Sequence, residues 1–292
     1  MQMQKKSADL PSLLFGGFSK RAARVSKVSG FWVKAAHDLR QGWQNYWELW
    51  LTMARYDIVK RYRRSVLGPF WITFSIGIFI VALSLLYGPM LGRNIGDYIP
   101  YLTVGLVSWR LISDIVSESC NIFVSNAATI RQLKIPLSIY VFEMIWRNVI
   151  ILTHNLSLYV VVVVMFWIEP TWATLLFIPG LAFVCLCALW TGLLLGTVCA
   201  RFRDVPPIVS TIMPMMFLVT PVLWKADHIS EIQWWLVTLN PFYYFLELIR
   251  TPLLGTAPSP LIWVIAFAIT LTTGLAAIPI FSRFHDRIVY WV

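Results

Sequence analysis

Residues 60–91 read KRYRRSVLGPFWITFSIGIFIVALSLLYGPML, a basic block of Lys60, Arg61, Arg63 and Arg64 followed by an uncharged run from Val66 to Leu91. That run is longer than the roughly 20 apolar residues a helix needs to cross a bilayer. The chain is therefore read as a membrane protein whose first span begins here. Lys and Arg accumulate on the cytoplasmic flank of a span, and each contributes about 1 kcal/mol on an anionic leaflet. The block places this end of the span in the cytoplasm.

Composition agrees. Of 292 residues 58% are hydrophobic and 13% charged, and the mean hydropathy is +0.70. So few charges do not wet the surface of a soluble domain. The net charge of +10 is concentrated: residues 1–65 hold thirteen basic and four acidic residues, whereas the remaining 227 hold eleven and ten. A basic head on a nearly neutral apolar body is not a nucleic-acid signature, so no nucleic-acid partner is expected. Cys120, Cys185, Cys187 and Cys199 fall in apolar segments and His37, His154, His228 and His285 are scattered, so no metal site is expected. The early run LPSLLFGGF is too short for a signal-peptide core.

Upstream of the first span, residues 1–40 read as a basic cytoplasmic extension and 41–65 as an amphipathic helix. Trp43, Trp47 and Trp50 recur at spacings of three and four with Leu51, Ala54 and Ile58, away from Glu48, Arg55, Lys60 and Arg63. Tryptophan on one face and cations on the other suit a helix lying in the membrane interface; a soluble core-facing helix is the alternative. Downstream, apolar runs over about 99–125, 137–168, 172–200, 207–224 and 261–281 complete six spans. The expectation is an all-α polytopic protein with both termini cytoplasmic, residues 282–292 forming a cytoplasmic tail. Loop charges agree: Arg131, Lys134, Arg201, Arg203, Arg283 and Arg287 fall inside, against Arg93, Lys225 and Arg250 outside. Between the last two spans, ISEIQWWLVTL and PFYYFLELIRTPLL are too short to cross. They read as two re-entrant helices over about 229–254, capped by Ser230 and by Asn240 with Pro241. Pro214 and Pro221 should kink the fifth span, and Gly192 and Gly196 permit close helix contact in the fourth.

Charged residues inside spans define the chemistry. Arg110, Asp114 and Glu118 are spaced by four and share a helical face; Glu143 and Arg147 repeat the spacing in the third span. A charge at the bilayer centre costs on the order of 3 kcal/mol, so these residues face protein or water. Two readings are open, a polar lining of a conduit or ion pairs joining neighbouring helices. No G-x-x-x-x-G-K-[ST] occurs, nor a nucleophile elbow or H-E-x-x-H. The chain is not expected to be an enzyme, and ATP-driven work would require ATP and Mg in another polypeptide.

RYRRSVLGPFW (61–71), RFRDV (201–205) and NPFYYFLELIRTPLLG (240–255) resemble, in order and spacing, the membrane subunit of type-2 ABC exporters for lipid-linked polysaccharide, in particular the O-antigen permeases. The likeness covers roughly residues 40–285. It implies a homodimeric permease in the bacterial inner membrane, two ATP-binding subunits docked on the cytoplasmic side, and export of a glycan on undecaprenyl pyrophosphate. Capsule or teichoic-acid permeases are the sibling alternatives, and an integral-membrane enzyme acting on polyprenol-linked sugars is the alternative of another class. The resemblance further implies a coupling helix at about 126–136 with Arg131, Lys134 and Pro136 against the ATPase, and a periplasmic gate over 229–254 bearing Trp234, Trp235, Tyr243 and Tyr244. It implies partly aromatic channel walls, for which the chain offers Trp71, Phe74, Phe79, Tyr87, Phe217 and Trp224, although lipid-facing packing also uses aromatics. Arg61, Arg63 and Arg64 suit either the carrier pyrophosphate, bidentately bound, or leaflet anchoring.

Overall fold

A computed structural model describes residues 32–62, 70–90, 94–224 and 231–292. Every regular element among them is helical. A helix over 32–44 (α1) breaks at Asn45 and Tyr46 into α2 (Trp47–Tyr62), followed by α3 (Phe70–Met90), α4 (Ile95–Ser125), α5 (Ala127–Gln132) and α6 (Ser138–Phe166). A 3-10 turn (Trp172–Leu176) runs into α7 (Phe177–Arg201), then come α8 (Val205–Val219), α9 (Glu231–Thr238), α10 (Pro241–Leu253) and α11 (Pro260–Trp291). Arg63, Arg64 and Ser230 lie outside the described residues, as do the side chains of Arg61 and Trp71.

Five helices are long and apolar enough to cross a membrane: α3, α4, α6, α7 with its 3-10 lead-in, and α11. The sixth expected span, 207–224, is helical only as the 15-residue α8, about 22 Å long. It ends because Pro221 drives Thr220 out of the α region, to φ −73°, ψ 134°. Non-helical backbone at membrane depth is tolerated only where protein satisfies its polar groups, and side chains do so here. Tyr101 Oη donates to the carbonyls of Pro221 (3.0 Å) and Trp224 (2.8 Å), and Tyr98 Oη to that of Leu223 (2.7 Å). Gly105 lets this segment approach, since a Cβ there would stand 3.1 Å from the Val222 carbonyl.

The central pillar is α4, packed by α3, α6, α7, α8 and α10. It begins four residues before the expected Ile99 because Asn94 caps it, its Oδ1 accepting from the Gly96 amide at 3.3 Å. Its buried hydroxyls bond back along the helix, Ser108 to Val104 O and Ser119 to Ile115 O, so burial leaves them satisfied. Gly192 and Gly196 of α7 serve different neighbours: a Cβ on Gly192 would meet Val141 of α6 at 2.7 Å, and one on Gly196 would meet Ile122 of α4 at 2.6 Å. The 32-residue α11 runs on past the expected limit at Phe281 to Trp291, about 48 Å in all.

The tryptophan stripe divides. Trp50 and Ala54 are buried against α6, where Trp50 stacks on Trp43 at 5.6 Å and tilts on Phe142 at 5.9 Å, while Trp43 and Trp47 are more than half and about half exposed. The helix over 32–44, most of which the sequence places in the basic extension of residues 1–40, packs through Ala35 and Asp38.

Candidate functional site

Three helical stripes build an open groove of about 430 Å³ beside α4. From α4 come Arg110, Ser113, Asp114 and Ser117, spaced i, i+3, i+4, i+7, and Ser210, Met213, Pro214 and Phe217 of α8 repeat that spacing. Such residues share one face. Ile76 and Phe79 of α3 complete the wall. The α4 flank is therefore polar apart from Leu106 and Trp109, and the facing α3 and α8 flanks are apolar and aromatic apart from Ser210.

Arg110 Nε donates to Asp114 Oδ2 at 2.6 Å, with the side chains 48% and 26% exposed into the groove. Trp109 stands between Phe217 and Phe242, 5.8 Å from each, and so links the groove wall to α10. Of the six aromatics proposed for a lining, Phe79 and Phe217 line this groove. Phe74 and Tyr87 are exposed elsewhere on α3, and Trp224 sits in the turn after α8, its Nε1 donating to Leu218 O at 3.2 Å. Trp109 was missed because the sequence reading took aromatics from the first and fifth spans only. Its spacing of four and eight from Ser113 and Ser117 was the available signal.

The five intramembrane charges fall into two groups. Arg110 and Asp114 line the groove, whereas Glu118, Glu143 and Arg147 form an interhelical cluster. Arg147 donates to Glu143, to Glu118 Oε2 at 3.0 Å and to Asp57 Oδ2 at 2.8 Å, tying α6 to α4 and α2. Asn148 Nδ2 adds a bond to Glu118 at 2.7 Å. The charges thus divide between an interhelical ion-pair cluster and a pair that lines the groove. Asp57 had no intramembrane spacing to mark it.

At one end of the bundle, α5 carries Arg131, and residues 133–136, with Lys134 and Pro136, connect it to α6. A cavity of about 710 Å³ opens there between α1, this connection and the last turns of α11. Arg131 Nη2 donates to the carbonyl of Val292.

At the opposite end, Asn240 caps α10 by accepting from Phe242 N at 3.0 Å, and its Nδ2 donates to Thr220 at 2.7 Å. Trp234 and Trp235 of α9 are half exposed, their rings edge to face at 5.2 Å; Tyr244 is buried, its hydroxyl donating to Thr238 O, and Tyr243 is half-buried against it. Arg250, counted by sequence among the charges of the outside connections, is 4% exposed and ion-paired with Glu247. Its Nη1 donates to Tyr101 Oη at 2.7 Å and to Pro221 O at 2.5 Å, locking α10 to α4 and to the turn after α8.

Comparison with known proteins gives one family: residues 48–254 match the family described as ABC-2 type transporter. Among curated proteins, the chain is 23% identical over 245 residues to an O-antigen export system permease protein RfbA of Klebsiella pneumoniae, covering 82% of this chain and 93% of the relative. A second Klebsiella pneumoniae protein of that name is 24% identical over 195 residues, 66% of this chain and 75% of its own. The RfbA permease of Myxococcus xanthus is 23% identical over 186 residues, 64% and 72% respectively.

Proposed function

The chain belongs to the ABC-2 type transporter family, and on that premise we propose that it is the permease subunit of an ATP-driven exporter of polysaccharide, most specifically O-antigen carried on undecaprenyl pyrophosphate. The observation that carries this reading is the groove beside α4. A sugar ring has an apolar face that packs on aromatic rings such as Phe79, Trp109 and Phe217. Its hydroxyls are matched by the serines and the Arg110–Asp114 pair along α4. Many weak contacts of both kinds let a polymer slide without sticking.

The working assembly in this proposal is a homodimer in the bacterial inner membrane. The outward faces of α3 and α8, the helices that flank the groove, expose Ile78, Val81, Leu85, Ile212, Met215 and Leu218, an apolar surface suited to a second copy closing the groove. Two ATP-binding subunits supply ATP and Mg and dock at the α5 end, which the basic connections assign to the cytoplasm. α9 and α10 then form the periplasmic gate.

The test is deletion of the chain in its host. Undecaprenyl-pyrophosphate-linked polymer should accumulate inside the cell, and the purified protein should bring down an ATP-binding subunit whose hydrolysis needs both chains. Polymer that still reaches the surface, or is never made, would overturn the reading.

A further inference from the structure

The N-terminus of α6 leaves its first amides without intrahelical acceptors, as every helix does, and its own cap residue, Leu137, offers no side-chain bond. The acceptor comes from α1. Asp38, 6% exposed, accepts from Leu137 N at 3.0 Å and Ser138 N at 2.9 Å, while Ser138 Oγ donates to the Asp38 carbonyl at 3.0 Å. The two helices meet closely, since a Cβ on Gly42 would stand 2.5 Å from Ser138 Oγ.

Asp38 is itself held from a third element. His285 of α11 has Nε2 at 2.9 Å from Asp38 Oδ2 and Nδ1 at 3.0 Å from Asp286 Oδ1, and Lys34, one turn before Asp38, pairs with Asp286 at 3.0 Å. Arg131 of α5 reaches the carbonyl of Val292, the residue that follows α11. These bonds close a ring through α1, the start of α6, α5 and α11. Only α5 and α6 lie within the segment that matches the family; α1 and the last turns of α11 lie outside it.

We infer that Asp38 is a positioning residue for coupling: by capping α6 from α1 while held by His285, it fixes the α5–α6 connection to α11, so that a push on α5 moves α6 and α11 together. A short helix such as α5, six residues long, is a poor lever alone. Inside the ring it carries two long helices with it. The coupling role rests on the proposed docking of ATP-binding subunits at the α5 end, whereas the cap on α6 stands apart from it.

The experiment uses the full chain with its ATP-binding subunit in lipid nanodiscs and proteoliposomes, and compares Asp38→Ala, His285→Ala and His285→Gln. In Asp38→Ala, hydrogen exchange at the Leu137 and Ser138 amides should rise by roughly tenfold, the scale of a lost charged helix cap, with other helices unchanged. Glycan exported per ATP hydrolysed should fall several-fold in both alanine variants, while His285→Gln, which keeps a donor toward Asp38, restores it. His285→Ala should leave the α6 amides protected, separating the strap from the cap. Unchanged exchange in Asp38→Ala overturns the cap, and an export-to-hydrolysis ratio that stays at the wild-type value in both alanine variants overturns the coupling role. A wild-type complex that hydrolyses ATP but moves no glycan refutes the transport reading, and the exchange data still decide the cap.

Discussion

Arg250 lies with its guanidinium 4.4 Å from the centre of the Tyr101 ring and donates to that same residue's hydroxyl at 2.7 Å. One residue thus holds α10 to α4 through both the face and the edge of a single tyrosine. The charge is buried and balanced by Glu247, whose second oxygen accepts from Thr251 at 2.5 Å. Removing one partner of a buried pair leaves the other uncompensated, at a cost of about 3–5 kcal/mol. Arg250→Ala should therefore lower the melting temperature of the detergent-solubilised protein sharply. Arg250→Lys should not restore it, because an ammonium cannot serve Tyr101, Pro221 and Glu247 in the geometry of a guanidinium fork. A lysine variant of wild-type stability would show that the charge alone matters.

The Arg147 cluster should respond unequally to its members. Arg147→Met leaves Glu143, 4% exposed, without its counter-charge and leaves Glu118 only its hydrogen bond from Asn148 among those described, and should cost about 3–5 kcal/mol, read as loss of folded protein. Asp57 is 49% exposed, so Asp57→Asn should cost at most about 1 kcal/mol. Equal losses from the two variants would contradict the ranking.

Arg110 and Asp114 should behave in the opposite way. Their pair opens into the groove, so Arg110→Ala should change stability by about 1 kcal/mol or less while export of the glycan fails at normal protein level. Loss of the protein together with export would make the pair a structural tie.

Close packing gives a graded test on glycines. A methyl at Gly180 would lie 2.4 Å from the Leu248 carbonyl, a backbone atom of α10 that cannot step aside, whereas one at Gly274 meets the Trp190 indole at 3.1 Å. Gly180→Ala should cost about 1–3 kcal/mol and Gly274→Ala clearly less, measured by thermal unfolding in one detergent. The reverse order would mean that α7 and α10 separate more easily than α7 and α11.

Hydropathy made the helical class and most spans legible, because a stretch such as 66–91 has little choice once its charges are gone. The i, i+4 pairs were equally legible, since Arg110–Asp114 and Glu143–Arg147 follow from helical spacing alone. What the sequence hid was partnership over distance. Arg250 read as a loop charge because Tyr101 lies 149 positions away, and Asp38 read as part of an arm because its acceptors serve amides 100 positions on. The expected length of the fifth span failed for a local reason: hydropathy continues through Pro221, but backbone geometry does not.

That failure carries a mechanical consequence. A helical turn unravels cooperatively, its bonds lost together. Residues 220–224 instead hang from individual side chains, with Tyr98, Tyr101 and Arg250 each gripping a carbonyl. The joint between α8 and α10 is thus fixed by side chains of α4 and α10 and not by a helical ladder of its own, so the position of the groove wall depends on Tyr98, Tyr101 and Arg250.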